Sequence, residues 1–255
     1  MKDSYNPEAY WDKVASEIAS RSDLKIIAGD DEPYYRYKRR RFLNLLDSVD
    51  FRDKTVLEIG SGPGGNLDFI YRKNPKKLAG ADISEQMIAL SRQLLFGKPI
   101  DLIKINGSEL PFLDRSFSII FTSTVLQHNT DEPRLKQLIK EICRVSDKEV
   151  LLFERIEKNI KGHESNLGRP VSYYERLLAS NGFSLVERKS LDIQASYYVC
   201  GSIRKLFNRR SREEGEALSG LSILLEKIAL PVTSIIDKLI PSKRDVMLLR
   251  FERNQ

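Results

Sequence analysis

Apolar positions along the chain follow two rhythms. Residues 7–20 place Tyr10, Trp11, Val14 and Ile18 at helical spacing, which predicts a short amphipathic helix. A turn cluster follows at Gly29-Asp30-Asp31-Glu32-Pro33. A second helix is predicted from Pro33 to about Asp50, with Tyr35, Phe42, Leu45 and Leu46 inward and its basic residues solvated. From residue 54 the rhythm changes. Short apolar runs at 55–59, 77–82, 100–105, 117–122 and 149–154 read as strands, and helical patterns lie near 64–73, 84–96, 131–146 and 170–181. Such alternation predicts a parallel α/β sheet with crossover helices. Segment 183–200 reads as one long strand and 245–251 as another. Residues 201–243 break the alternation. A basic run of Arg204, Lys205, Arg209, Arg210 and Arg212 leads into a helical apolar pattern, Leu221, Leu224, Leu225, Ile228, Val232, Ile235 and Leu239. Pro231 is expected to kink or split that helix. The segment reads as an insertion between the last two strands, too interrupted by Gly220, Glu226, Lys227 and Pro231 to span a membrane.

Composition narrows the class without naming it. At 255 residues, 41% hydrophobic and 31% charged, the chain is neither disordered nor fibrous and can bury a full core. The expected layout is a single domain over 1–255, with an N-terminal helical cap at 1–50 and the helical insertion at 201–243. Two cysteines, Cys143 and Cys200, supply neither a disulfide framework nor a metal site, which fits a reducing, cytoplasmic setting. No histidine pair or carboxylate cluster has ligand spacing either, so no metal is expected. Met1-Lys2-Asp3-Ser4-Tyr5-Asn6 carries no apolar stretch, so no signal peptide is expected. Lys and Arg number 42 against 36 Asp and Glu, a formal charge of +6. That balance favours anionic partners but is of ordinary size for a soluble protein.

The most specific motif is Thr55-Val56-Leu57-Glu58-Ile59-Gly60-Ser61-Gly62-Pro63-Gly64-Gly65-Asn66, an apolar strand running into a glycine loop and a helix. Glycines serve where a backbone must turn tightly and approach a ligand, and a helix start offers N–H groups to an anion. Gly60, Gly62 and Gly65 with Asp82 also spell a dinucleotide fingerprint. The acid before the loop points elsewhere. Glu58-x-Gly60-x-Gly62-x-Gly64 resembles motif I of the class I S-adenosylmethionine (SAM)-dependent methyltransferases.

Three more segments in order strengthen the resemblance. Leu78-Ala79-Gly80-Ala81-Asp82-Ile83 resembles the family's ribose-binding strand end. Asn106-Gly107-Ser108-Glu109-Leu110-Pro111-Phe112 resembles its D-A-E-x-L-P-F segment, and Ser116-Phe117 through Val125-Leu126-Gln127-His128 its S-F-D-x-V…V-L-x-H strand and loop. The match covers about 35–200 and the final strand, and is nearest the small-molecule branch with quinone-biosynthesis and sugar O-methyltransferases. Two positions depart from the pattern, Asn106 and Ser118 standing where the family has Asp. An Asn oxygen still accepts a hydrogen bond.

The resemblance implies a three-layer Rossmann-like sheet, mostly parallel with its last strand antiparallel, and SAM as cofactor. It places Glu58 near the methionine moiety or as an organiser of the glycine loop, passes Gly60, Ser61 and Gly62 under the cofactor, and sets Asp82 on the ribose. Ile83 and Met87 flank the adenine, Asn106 and Gly107 read its edge, and Thr122 or Ser123 meets the amino-acid end. The N-terminal helices would cover the cofactor, with Tyr34 and Tyr35 near its carboxylate. Catalytic candidates are His128, His163 and Glu154, since imidazole suits removal of a hydroxyl proton near neutral pH. Arg155 and Arg169 are candidates for an anionic group on the acceptor.

The implied reaction is O-methylation of a small or glycosidic acceptor. N-methylation of a small amine and a catalytically idle SAM-binding subunit stand as alternatives. Segment 201–243 carries eight basic and five acidic residues, a net charge of +3. It suits either a membrane surface, and so a lipid-linked acceptor and a place at the inner face of the membrane, or a cap buried on its own domain or in a homodimer. Nucleic acid is not the expected partner: the run Arg36-Tyr37-Lys38-Arg39-Arg40-Arg41 is basic, yet no RNA-binding module or N-P-P-Y-type motif accompanies it.

Overall fold

The computed structural model describes residues 5–20, 32–208, 218–242 and 245–255. Met1 to Ser4, the turn at 29–31 and the arginines Arg209, Arg210 and Arg212 lie outside the described residues. Helices α1 (Pro7–Ala19) and α2 (Pro33–Asp47) precede the first strand. Then come β1 (Thr55–Ile59), α3 (Gly65–Tyr71), β2 (Lys77–Asp82), α4 (Glu85–Leu94), β3 (Asp101–Lys104), β4 (Phe117–Ser123), α5 (Glu132–Val145) and β5 (Ser146–Ile156). A small hairpin follows, β6 (Lys161–His163) with β7 (Asn166–Gly168), then α6 (Val171–Ala179) and β8 (Phe183–Ser190). Helices α7 (Gln194–Phe207) and α8 (Gly220–Leu239) stand before β9 (Asp245–Arg253).

The chain forms two compact units. One comprises Met1–Ala28, Phe51–Lys189 and Val246–Gln255; the other, Gly29–Asp50 and Ser190–Asp245. The expected 1–50 cap is therefore divided, α1 going with the first unit and α2 with the second.

In the first unit seven strands lie in the order β3-β2-β1-β4-β5-β9-β8, mostly parallel with β9 reversed. The strand order turns back between β1 and β4, which pair in parallel from Val56 opposite Ile119 to Ile59 opposite Thr122. Ser118, at a register shift in β4, bonds Thr55 across this seam, its N–H donating to Thr55 Oγ1 at 2.8 Å. Central strands buried on both faces carry continuous apolar runs. Helix α5 contributes Leu135, Leu138, Ile139 and Ile142 to the same core as Leu57, Ile120 and Leu152. Local signals start the helices: Asn6 caps α1, accepting from Ala9 N–H at 3.3 Å, and Ser84 caps α4, accepting from Met87 N–H at 3.0 Å.

The second unit departs from expectation in three places. The predicted strand 183–200 ends at Ser190, and Gln194 begins a helix. Asp237 provides the reason: its Oδ1 accepts the N–H groups of Ala195 at 2.7 Å and Ser196 at 3.2 Å, capping α7 from forty residues away. Pro231 neither splits nor ends α8. It removes one backbone bond, while Ser222 and Glu226 before it and Thr233 and Asp237 after it anchor one buried face. In α2 the inward residues are Tyr34, Tyr37, Phe42 and Leu46 rather than Tyr35 and Leu45.

Candidate active site

Four strand ends meet at one cavity within the first unit. Ile59 ends β1 and Gly60 follows it, Asp82 ends β2 and Ile83 follows it, Ile105 and Gly107 follow β3, and Ser123 ends β4 with Thr124 and Val125 after it. This is the carboxyl side of the sheet at its switch point, where open α/β sheets bind ligands. The space amounts to about 1100 Å3 with its open mouth included, ample for a nucleoside-sized ligand.

Asp82 is the polar anchor. Its Oδ2 accepts Gly62 N–H at 2.8 Å and its Oδ1 accepts Ser84 N–H at 2.9 Å. Burial raises its pKa above the usual carboxylate range, against these N–H donors. Each oxygen keeps a second lone pair, so the carboxylate can receive two neighbouring hydroxyls. Gly60 also lines the cavity, at φ +70°, and a Cβ there would stand 2.2 Å from Val125 Cγ2. Only glycine lets the loop pass this close at that dihedral. Met87 lines the cavity and also packs with Ala15, Ile18 and Leu90, so it serves core and site together.

Several expected residues stand behind the wall rather than on it. Glu58 is fully buried and accepts Asn66 Nδ2–H at 2.7 Å, tying β1 to α3. Ser61 turns its hydroxyl toward Gly80. Asn106 spends its side-chain oxygen on Ser108 and Glu109 N–H groups at 3.0 and 2.8 Å, and it is Gly107 that lines the cavity. Thr122 donates to Glu154 Oε1 at 2.8 Å. Glu154 itself is fully buried and grips the following loop, accepting Val125 N–H at 3.0 Å and Gln127 N–H at 3.3 Å. Burial pushes its carboxyl up to about 7, opposed by the Thr122 hydroxyl and the loop N–H groups. That loop holds Thr124 at φ +58°.

His128 is the titratable ring on the cavity wall. Its Nδ1 lies 2.9 Å from the Ser165 carbonyl oxygen, and its Nε2 lies 3.1 Å from Gln127 Nε2. Gln127 Oε1 accepts Arg155 N–H at 3.2 Å, so the Gln127 amide nitrogen must face the ring. The network therefore assigns the proton to Nδ1 and the lone pair to Nε2. His163 stands exposed on β6, outside the cavity lining. Arg169 is fully buried, donating to the carbonyls of Leu126 and Asn129 at 2.9 Å each. Arg155 is occupied by Glu157 at 2.8 Å. Tyr35 belongs to the second unit, with the Arg204 guanidinium 4.9 Å from its ring centroid.

Sequence reasoning expected the N-terminal helices over the cofactor but looked to Tyr34 and Tyr35, and missed the aromatics at and before α1. Tyr5, Tyr10, Trp11 and His128 run edge to face with centroid spacings of 5.8, 5.2 and 5.1 Å, and Tyr5, Trp11 and His128 reach the cavity. Helix α1 is pinned there by Asp12, whose Oδ1 accepts Ser84 Oγ–H at 2.5 Å, and by a Glu8–Lys104 ion pair at 2.9 Å. Asn129, Thr130, Asp131 and Arg134 close the rim; no local signal in the chain marks them. Among the described residues there is no group of three or more His, Cys, Asp or Glu that could hold a metal.

Comparison with known proteins agrees with this geometry. Residues 56–149 match the methyltransferase domain family. They thus carry a match to a methyltransferase domain on a Rossmann-like sheet, and the cofactor that this match implies is SAM. The chain is 27% identical over 145 residues to phthiotriol/phenolphthiotriol dimycocerosates methyltransferase of Mycobacterium tuberculosis, covering 55% of this chain and 50% of that protein. It thus spans about half that relative's length. It is 23% identical to sarcosine/dimethylglycine N-methyltransferase of Halorhodospira halochloris, covering 82% of this chain and 80% of that protein. Among solved structures, the [4+2]-cyclase SpnF is similar with a TM-score of 0.65 at 14% identity, over 97% of this chain and 95% of that one. That likeness concerns the fold alone, and a fold does not set a reaction.

Proposed function

We propose that this protein transfers a methyl group from SAM to a hydroxyl oxygen of a small or glycosidic acceptor. One observation supports the oxygen: His128, whose Nε2 carries the lone pair, lines the cavity that Asp82 also lines. When bound, SAM supplies a methyl group carried on a sulfonium. Asp82 receives the two ribose hydroxyls. Gly60 and Gly62 let the loop pass along the cofactor, over the frame made by Glu58 and Ser61. Ile83 and Met87 sandwich the adenine, and the backbone at Asn106 and Gly107 reads its edge. Thr122 shapes the strand end from which Ser123 meets the amino-acid moiety. The aromatic lid of α1 excludes water.

His128 Nε2 takes the acceptor's hydroxyl proton, the hydroxyl replacing the Gln127 amide at that nitrogen, while Ser165 keeps the ring oriented. Glu154 positions the loop bearing His128 and stays out of the proton transfer. His163 receives no step. An amine acceptor whose nitrogen is unprotonated needs no base, and the likeness to an N-methyltransferase over most of the chain favours that as the second reading.

The test combines a variant with a label. His128→Ala is expected to keep SAM affinity and to lose about 10²–10⁴-fold in turnover on a hydroxyl acceptor. Unchanged turnover would remove His128 from the mechanism. Wild-type protein, methyl-labelled SAM and a lysate of the host then locate the acceptor. Label in the organic phase indicates a lipid-linked acceptor, and label in small aqueous species a soluble one. Label confined to polymer would sink the small-acceptor reading. SAM binding with no label anywhere would leave the idle subunit.

A further inference from the structure

Helix α8 is built inside out. Its buried residues are Ser222, Glu226, Thr233 and Asp237, all polar. Its outward stripe is Leu221, Leu224, Ile228, Val232, Ile235 and Leu239, each between 51% and 77% exposed. These recur at i, i+3 and i+4 and run roughly 27 Å along one face at 1.5 Å per residue. The polar interior is closed by its own bonds. Asp237 Oδ2 accepts Ser196 Oγ–H at 2.5 Å and Tyr37 O–H at 3.0 Å. Glu226 pairs with Arg204 Nε at 2.8 Å and accepts Tyr34 N–H at 3.1 Å. Helix α7 adds exposed Tyr198, Val199 and Leu206. Ordinary surface helices do the reverse, so so long an apolar stripe marks an interaction site.

Charge identifies the occupant. Glu226 and Asp237 are the acids of the two helices, and both are fully buried. The exposed charges of α7 and α8 are Lys205, Lys227 and Lys238, all positive. Lys227 and Lys238 each precede a stripe residue and so lie about 100° round the helix from it, on the border of the apolar face. There long stems can cover apolar surface while the ammonium reaches a polar layer. A two-fold contact with a second copy would bring the same patch, and the same lysines, face to face. Among the described residues no helix is long and apolar enough to cross a membrane.

We propose that α8, aided by the exposed side chains of α7, seats the protein on the surface of an anionic lipid bilayer. The stripe enters the acyl boundary and the lysines meet anionic headgroups. The proposal does not depend on the methyl-transfer reading, and its test reads no activity.

The full chain is sedimented with vesicles of phosphatidylcholine and with vesicles of equimolar phosphatidylcholine and phosphatidylglycerol. Binding is expected on the mixed vesicles, far weaker on the neutral ones, and falling with added salt. The double variant Ile228→Asp, Val232→Asp should lose mixed-vesicle binding while keeping the wild-type circular dichroism spectrum and melting temperature. Lys227→Gln and Lys238→Gln should each weaken binding about fivefold. Absence of binding to mixed vesicles overturns the proposal, as does binding undiminished in the Ile228, Val232 variant. A dimer in analytical ultracentrifugation that this same folded variant splits would also overturn it, making the stripe a contact between copies.

Discussion

Thr124 holds φ at +58°, a dihedral that β-branched residues avoid. It persists because its N–H donates to the Phe153 carbonyl at 2.8 Å and the next residues hang from Glu154. Strain at the cavity wall is thus maintained by a carboxylate behind it. Asp82, also on the cavity, is held comparably by the N–H groups of Gly62 and Ser84. Asp82→Ala is expected to weaken SAM binding about 10²–10⁴-fold, since each of two hydrogen bonds to a charged group contributes about 1.5–3 kcal/mol. Isothermal titration reads this directly, and an unchanged dissociation constant would take Asp82 out of the cofactor site. Gly60→Ala should be worse, because its Cβ would collide with Val125 at a dihedral alanine resists; loss of SAM binding in the same titration is the expected result. Gly60, Gly62 and Asp82 were legible in the chain because their spacing follows from local backbone geometry. Trp11 and Thr124 were not, since only the meeting of distant segments places them on the cavity.

At the level of elements, α7 and α8 explain each other. The N–H groups that open α7 find their acceptor on α8, in Asp237, so no capping residue precedes Gln194 in the sequence. Read locally, the stretch before it continues a strand. Asp237→Ala would strip the acceptor from two N–H groups and from the hydroxyls of Ser196 and Tyr37. Leaving such buried donors unpaired costs about 1–3 kcal/mol per group, so a loss of about 3 kcal/mol or more is expected in urea unfolding followed by circular dichroism. A change within experimental error would mean that these donors find other acceptors. The same network explains why Pro231 sits within a continuous helix: the buried face is anchored on both sides of it.

For the molecule as a whole, the strand order gathers four strand ends at one cavity, and buried Glu154 makes stability depend on pH. Its folded pKa, pushed up to about 7, exceeds the ordinary value of 4.5. Between these values the unfolded chain releases a proton that the folded chain keeps. The contribution is full below about pH 4.5 and is lost as pH rises through about 7, on the order of 3 kcal/mol. Wild-type stability should therefore carry a downward component from pH 5 to 7.5. Glu154→Gln should lack it, although it begins less stable because its amide cannot accept every loop N–H. Parallel denaturation curves of the two proteins across that range check this, and identical slopes would refute it.

Periodicity and turn chemistry determined most of the first unit from the sequence alone. The strand runs, the crossover helices and the glycine loop with its acid are repeated local patterns, and burial on both faces writes them as continuous apolar stretches. The inside-out helix pair was decided only by tertiary structure. The apolar spacing of α8 was plain in the chain, but spacing cannot tell which side faces inward. Asp237 and Glu226, bonded to Ser196, Tyr37 and Arg204, turn the polar side in and leave the leucines and isoleucines outside. The lid of α1 was settled in the same way, by Asp12 and Glu8 meeting partners more than seventy residues away. A contact between distant residues leaves no period in the chain, because it exists only once the fold has brought them together.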